Sequence, residues 1–505
     1  MERLFKVTPM KILSNIILFS LGILILNSCA PAGSATYSPQ NKYTPEQLKE
    51  DASVMEALLR KNHPSLYWYA TPEEIDSSFV RLYRQLDSPL TEIAFRNILN
   101  QTVGVIRCGH TSVRPSKKHN WYMLWQPPQG FPLGLKVMDD STLLITSNLY
   151  RTDTILNRGV QILSINQYSA KHLIDTLSSL IPIDGNARGF SDQNLSNLFS
   201  RFYNNLFPND SLYHFVLKDT SGVIRSVSRA GYMNEGDTLS VIKTSSKIVK
   251  SRLRPKRKTP NTTYRSLMID SKERYAVLRV NTFSHELTKS FIRKSFKKLK
   301  RDSIPSLIID LRINGGGLIS SSLLLAKMIH QEPFRYADSI VAPNKKINGK
   351  GRITRHFLSN LGMFFLSKKN KTGGYRFKYF QKERYKPHRL RFKGKIYVLT
   401  GGYSFSATSM LLASIKGAPN VVIIGEESGG GYYGNNGGFI PDIILPNTKV
   451  RVRLPLYRIV NNHQLPFDGK GVPPDIEIKP TFEDIRQNED PKMKKAIELI
   501  LSSSE

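Results

Sequence analysis

Lys395-Ile396-Tyr397-Val398-Leu399-Thr400-Gly401-Gly402-Tyr403-Ser404-Phe405-Ser406-Ala407-Thr408-Ser409-Met410-Leu411-Leu412 is the stretch on which the reading of this chain turns. Its first six residues are apolar and β-branched enough for a buried strand, and Ala407 to Lys416 reads as a helix. The turn between them puts Ser406 at a helix N-terminus, where the first backbone N–H groups have no intrahelical partner. A hydroxyl beside such donors is placed as a nucleophile with an oxyanion pocket at hand. The same residues also suit an ordinary helix cap after a glycine turn.

Two further segments bear on that choice. Leu307-Ile308-Ile309-Asp310-Leu311-Arg312-Ile313-Asn314-Gly315-Gly316-Gly317 is a buried-type strand emptying into glycines, followed by a helical stretch from Leu318 to Ile329. Glycines there let backbone approach a bound group closely, and their N–H groups can form an anion nest; a tight strand-to-helix turn is the simpler alternative. Cys108-Gly109-His110-Thr111-Ser112 supplies a histidine, the side chain best matched to proton transfer near neutral pH.

In order and spacing these segments resemble the tail-specific, or C-terminal-processing, serine proteases: strand-Asp-Leu-Arg-x-Asn-Gly-Gly-Gly, then Gly-x-Ser-x-Ser-Ala, then Val-x-x-Gly-Glu. One branch of that family pairs its serine with a downstream lysine, and here the lysine's place in Gly425-Glu426-Glu427-Ser428-Gly429-Gly430-Gly431-Tyr432 is Gly431. The other branch, similar to the tricorn protease core, uses a histidine in a Gly-His-Thr context and an acid before Gly-Val-x-Pro-Asp. This chain has His110 in the first setting, and Asp468 three residues before Gly471 in the second. The resemblance thus implies Ser406 as nucleophile, His110 as base, Asp468 as the acid that orients it, and Glu426 as the reserve acid. The oxyanion donors it implies are the N–H of Ala407 with that of Gly315 or Gly316. Asp stands where the tricorn-like pattern has Glu, and Gly109 where it has Ser.

The fold expected is α/β: a crotonase- or ClpP-like protease core, a PDZ-like β-rich domain and an N-terminal helical region. The boundaries are 1–28 signal peptide, 29–43 linker, 44–120 helical region with the Gly-His-Thr motif, 121–240 PDZ-like domain, 241–262 basic linker, 263–485 protease core and 486–505 C-terminal helix or tail. Thr44-Pro45-Glu46-Gln47 and Thr71-Pro72-Glu73-Glu74 are helix starts, with a capping Thr and Pro at the first helical position. Arg158-Gly159-Val160-Gln161-Ile162-Leu163-Ser164-Ile165-Asn166 resembles the Gly-Asp-x-Ile-Leu-x-Ile-Asn of PDZ domains, with Val160 in the Asp position.

Arg3, Lys6 and Lys11 precede an apolar run from Ile16 to Leu26, which is too short to span a bilayer and suits a secretory signal. Cys29 after Leu26-Asn27-Ser28 resembles a bacterial lipobox and is expected to carry the lipid, anchoring the protein in the cell envelope outside the cytoplasm. Cys108 is then the one cysteine left, which excludes an intrachain disulfide.

Net charge is +33 and clustered. Lys243 to Lys258 carries eight basic residues, and Asn344 to Ile396 carries seventeen against Glu383 alone. For an exported protein the anions within reach are lipid head groups or surface polysaccharide; nucleic acid is not an expected partner. No cofactor or metal is expected, since the ten histidines are scattered and no phosphate loop is present. The function expected is serine endopeptidase action on exported or unfolded polypeptide. A decayed relative of the same fold that binds peptides or a small ligand is the alternative.

Overall fold

Continuous Val, Ile and Leu runs belong in a sheet covered on both faces, and five such runs build the centre of this molecule. In the computed structural model the strands Arg265–Ile269, Tyr275–Val280, Ser306–Asp310, Lys395–Thr400, Val421–Gly425 and Ile476–Glu477 lie side by side in that order. The first pair is antiparallel and every later pair is parallel, so the chain winds through β-β-α units. Thr288–Arg301, Ile319–Ile329 and Ala407–Ile415 are crossover helices, while Pro491–Ser502 covers another part of the sheet through Ala496 and Ile500. The molecule described comprises residues 37–502 apart from 126–129, 151, 208–211, 232–263, 273 and 372. The signal run, Cys29 and the basic run from Lys243 to Lys258 lie outside the described residues.

Both predicted helix starts are capping boxes: Thr44 and Thr71 accept from the N–H groups of Gln47 and Glu74, whose side chains accept from the Thr N–H groups in return. The N-terminal helices share one continuous hydrophobic core with the protease sheet. Asp51 explains part of that union: its buried carboxylate accepts from the N–H groups of Asn447 and Thr448 and from the Thr448 hydroxyl. Val113–Arg114 adds a further link by pairing with Arg451–Val452.

The middle region has a sheet and a core of its own. Leu133–Val137, Leu143–Asn148, Gln161–Ile165, Leu212–Lys218 and Ile224–Ala230 pair antiparallel in that order. Their inner face packs on the helices Ala170–Ser178 and Gly189–Leu206 through Leu173, Leu195 and Tyr203. A second core sheet of five antiparallel strands, Ser367–Lys369, Tyr375–Phe377, Ser339–Ala342, Tyr457–Val460 and Gly434–Gly437, flanks the cleft described next. Among the described residues, no helix is long and apolar enough to cross a membrane.

Candidate active site

The strand Lys395–Thr400 ends in a turn that forces Ser406 to a positive φ, φ 59° and ψ −121°, immediately before the helix Ala407–Ile415. A non-glycine residue held there is strained, and a strand-to-helix turn of this kind projects its side chain away from both elements. Phe405 and Ser404 hold the strain in place. The N–H of Phe405 donates to Asn314 O, and the Ser404 hydroxyl donates to Leu311 O, tying the turn to the glycine run.

His110 arrives from the other side of the molecule. Its loop follows the helix Glu92–Gly104 and passes through a positive φ at Arg107 before the turn closed by Thr111 N–H to Cys108 O at 2.9 Å. The imidazole stacks on the Phe405 ring at 4.8 Å between centroids, and its Nε2 lies 2.9 Å from Ser406 Oγ. Two residues separated by most of the chain are thereby brought into proton-transfer contact. Burial, with Arg453 nearby, holds the imidazole down to about 3, so it is neutral at pH 7 with its charged form disfavoured.

Gly316 lies under the serine at φ 93°, and a Cβ there would fall 2.7 Å from Phe405 O and 2.8 Å from Ser406 Cβ. Its N–H is already committed to Asn314 Oδ1 at 2.9 Å, and that side chain is fixed in turn by Val280 O. The N–H of Gly316 is therefore spent on the loop, which leaves Gly315 with Ala407 as the pair positioned by the sequence motif for an oxyanion. Arg312 completes the run: its guanidinium bridges Asp310 and Asp490, locking the strand end to the C-terminal helix.

Neither of the two expected acids hydrogen-bonds to the imidazole. Asp468 is exposed, its Oδ1 accepts from Lys470 N–H at 2.9 Å, and it makes no hydrogen bond to the imidazole. A short Asp-Gly turn satisfies its own carboxylate this way. Glu426 is paired with the Lys492 ammonium, which also donates to Thr400 O, so it is occupied at the strand end. Its neighbour Glu427 does reach the Asp468 turn, accepting from Gly471 N–H at 2.7 Å.

Sequence reasoning missed Asp184. This carboxylate is 2 % exposed, and its Oδ1 accepts from the N–H of Gly109, the residue before the histidine, at 2.8 Å. Burial pushes it up to about 7 against the lowering effect of the Gly109 and Gly431 N–H groups. Its Oδ2 and His110 Nδ1 are both buried, and neither has a hydrogen-bond partner among the described residues. The Asp184 loop is interlocked with both neighbours, since Gly185 N–H donates to Arg107 O and Asn186 N–H to Gly469 O. No motif surrounds Asp184; only an aspartate in the otherwise apolar Leu180-Ile181-Pro182-Ile183 context could have drawn attention to it.

Ser406 opens on an apolar cleft whose walls include Leu318, Phe377, Phe380, Met410, Phe439 and Tyr457. Cys108 is buried and unpaired, with burial raising its thiol to about 11, so it is inert rather than a second nucleophile. Among the described residues, no group of three or more His, Cys, Asp or Glu could hold a metal ion.

Residues 274–478 match the model of peptidase family S41. No curated protein matches the chain. Among solved structures, mature CPAF is similar at 15% identity and a TM-score of 0.61, over 90% of this chain and 96% of that one. CPAF complexed with lactacystin gives 16% and 0.62, over 90% and 98%. The photosystem II D1 C-terminal processing protease gives 14% and 0.41, over 87% and 96%. The CPAF likeness shows that the fold extends over nearly the whole chain, and the α/β core, residues 274–478, carries the peptidase family S41 match of a serine peptidase.

Proposed function

We propose that this peptidase is a lipid-anchored endopeptidase of the cell envelope, cleaving exported or unfolded polypeptides by a Ser-His-acid mechanism. The observation that carries the mechanism is the 2.9 Å approach of His110 Nε2 to Ser406 Oγ at the head of a helix. His110 takes the hydroxyl proton as Oγ attacks the scissile carbonyl carbon. The carbonyl oxygen becomes an oxyanion facing the N–H groups of Ala407 and Gly315, and His110 then returns the proton to the leaving amine. A water molecule, deprotonated by the same imidazole, releases the acyl group from Ser406. The apolar cleft beside Ser406 favours an apolar substrate side chain next to the scissile bond.

An imidazolium formed in so buried a place needs a counter-charge. Asp184 is the carboxylate tied to the histidine loop, and we assign it the positioning and charge-balancing role. Asp468 is the second reading: its turn is bonded to the Asp184 loop, and the Tyr69 hydroxyl, whose proton affinity is raised chiefly by burial, is raised further by both carboxylates. The envelope location and the anchor rest on the Lys/Arg-flanked apolar run and Cys29.

A fluorophosphonate probe tests the mechanism. Labelling at Ser406 that vanishes in Ser406→Ala and drops in His110→Ala, together with casein digestion, supports it. An unlabelled chain that still binds peptides would make it a decayed binding module instead.

A further inference from the structure

The helix His356–Leu366, His-Phe-Leu-Ser-Asn-Leu-Gly-Met-Phe-Phe-Leu, is amphipathic in the wrong sense for a soluble surface. Its buried positions are Ser359 and Met363. The apolar stripe at Phe357, Leu358, Leu361, Phe364 and Phe365, with i, i+1, i+4, i+7, i+8 spacing, faces outward. Phe357 is 74% exposed, Leu358 61% and Phe365 60%. Single exposed apolar residues need no explanation, whereas five on one helix face form a docking surface.

Charge identifies the occupant. Lys346, Arg355, Lys368, Lys369 and Lys371 are exposed on the segments that flank the helix in the chain, and none makes an ion pair among the described residues. The Lys345 ammonium lies 4.4 Å over the Phe364 ring, so a cation sits directly against the apolar stripe. An apolar face flanked by unpaired cations complements an anionic lipid surface, where the rings enter the acyl boundary and the ammonium groups meet phosphates. A second copy of the chain would bring the same positive flanks against itself, and the basic run Lys243–Lys258 would do likewise, so both are disfavoured by like-charge repulsion.

We propose that this helix is an interfacial membrane-docking element for anionic bilayers, independent of the lipid expected on Cys29. The helix also backs the cleft: a Cβ at Gly362 would meet the Phe439 ring at 2.9 Å, and Ser367 Oγ is 2.7 Å from the Tyr457 hydroxyl. Phe439 and Tyr457 both line the cleft. Docking therefore holds the cleft at the lipid surface, and, resting on the peptidase reading above, directs it to membrane-adjacent polypeptide.

The test uses the full chain carrying Cys29→Ser, so that no acyl anchor forms, with vesicles of phosphatidylcholine and phosphatidylglycerol at roughly 7:3. The expected result is co-sedimentation that weakens by about tenfold on pure phosphatidylcholine, and by about tenfold in Phe364→Ser/Phe365→Ser at unchanged thermal midpoint. In a parallel Phe365→Trp chain, brominated lipid quenches the added fluorescence. Equal vesicle binding by parent and double-serine variant, with no bromolipid quenching, would overturn the proposal. So would a parent dimer that the serine pair dissolves without altering vesicle binding, since that result assigns the face to a second copy. None of these readouts needs peptidase activity, so they stand or fall apart from the catalytic reading.

Discussion

Two short apolar helices of this protein do opposite things. Ala407–Ile415 is nine residues long and buries Met410, Leu411, Leu412 and Ile415 in the core, with the strained serine at its head. His356–Leu366 is eleven residues long, is just as rich in apolar residues, and turns most of them outward beside the same cleft. Both have the composition of a core helix. What separates them is what their neighbours offer: one lies between strands that demand cover, the other lies on the rim with only Ser359 and Met363 turned inward. Apolar content alone therefore does not say whether a helix stabilises the fold or waits for a partner.

The largest effect is expected at the head of the buried helix. Ser406→Ala and His110→Ala should each lower peptidase turnover on the order of 10⁴-fold or more while leaving the fold intact, read by casein digestion and circular dichroism. Retained activity in either would remove the catalytic role of this helix terminus. Next comes its body against its counterpart. Leu411→Ala should cost about 2–5 kcal/mol of unfolding free energy, whereas Phe364→Ser should stay within about 0.5 kcal/mol in denaturant titrations. If the two cost the same, the outward helix is as structural as the inward one.

Gly316→Ala probes the floor under the serine. The new Cβ has no room against Phe405 O and the φ of 93° disfavours it, so turnover should fall by about 10²–10³ as the oxyanion donors shift. An unperturbed kcat would mean that the glycine run does not shape the oxyanion pocket.

The smallest effect expected is electrostatic. Asp184 ionises in the folded protein at about 7, against an ordinary 3.8, because burial disfavours its charge. Between those values the folded state keeps a proton that the unfolded chain has released, so this group's contribution to stability declines as pH rises through the window and levels off above about 7. Asp184→Asn should consequently have a higher Tm relative to the parent at pH 8 than at pH 5, while its pH–rate profile shifts and Asp468→Asn leaves that profile in place. The converse result, with Asp468 moving the profile, would return the acid's role to the exposed turn. A merely structural Asp184 would change Tm and leave the profile untouched.

The turn bearing Ser406 and the glycine run were legible because each is local: β-branched residues followed by small ones and then helix formers produce a strand, a turn and a helix wherever they occur, whereas His110 stood out only through its Gly-His-Thr resemblance. The strands Tyr275–Val280 and Lys395–Thr400 fall where their patterns put them, and the two Thr-Pro helix starts do as well. The Asp184 contact was not legible, because a carboxylate's ionisation depends on burial supplied by loops from three distant parts of the chain. Nor was the separate commitment of Glu426 to Lys492, which needs the C-terminal helix to fold back over the sheet.

Element types and the apolar runs of the sheet were written into the residue order, since each follows from steric and hydrophobic preferences of neighbouring residues, while the expected roles of Ser406 and His110 came from the resemblance of their motifs to a protease family. The tertiary structure alone decided which carboxylate lies beside the histidine loop, which glycine N–H is already spent, and which of two apolar helices faces inward. Those outcomes depend on distances between residues far apart in the chain, and through-space proximity and burial are properties that no local pattern encodes.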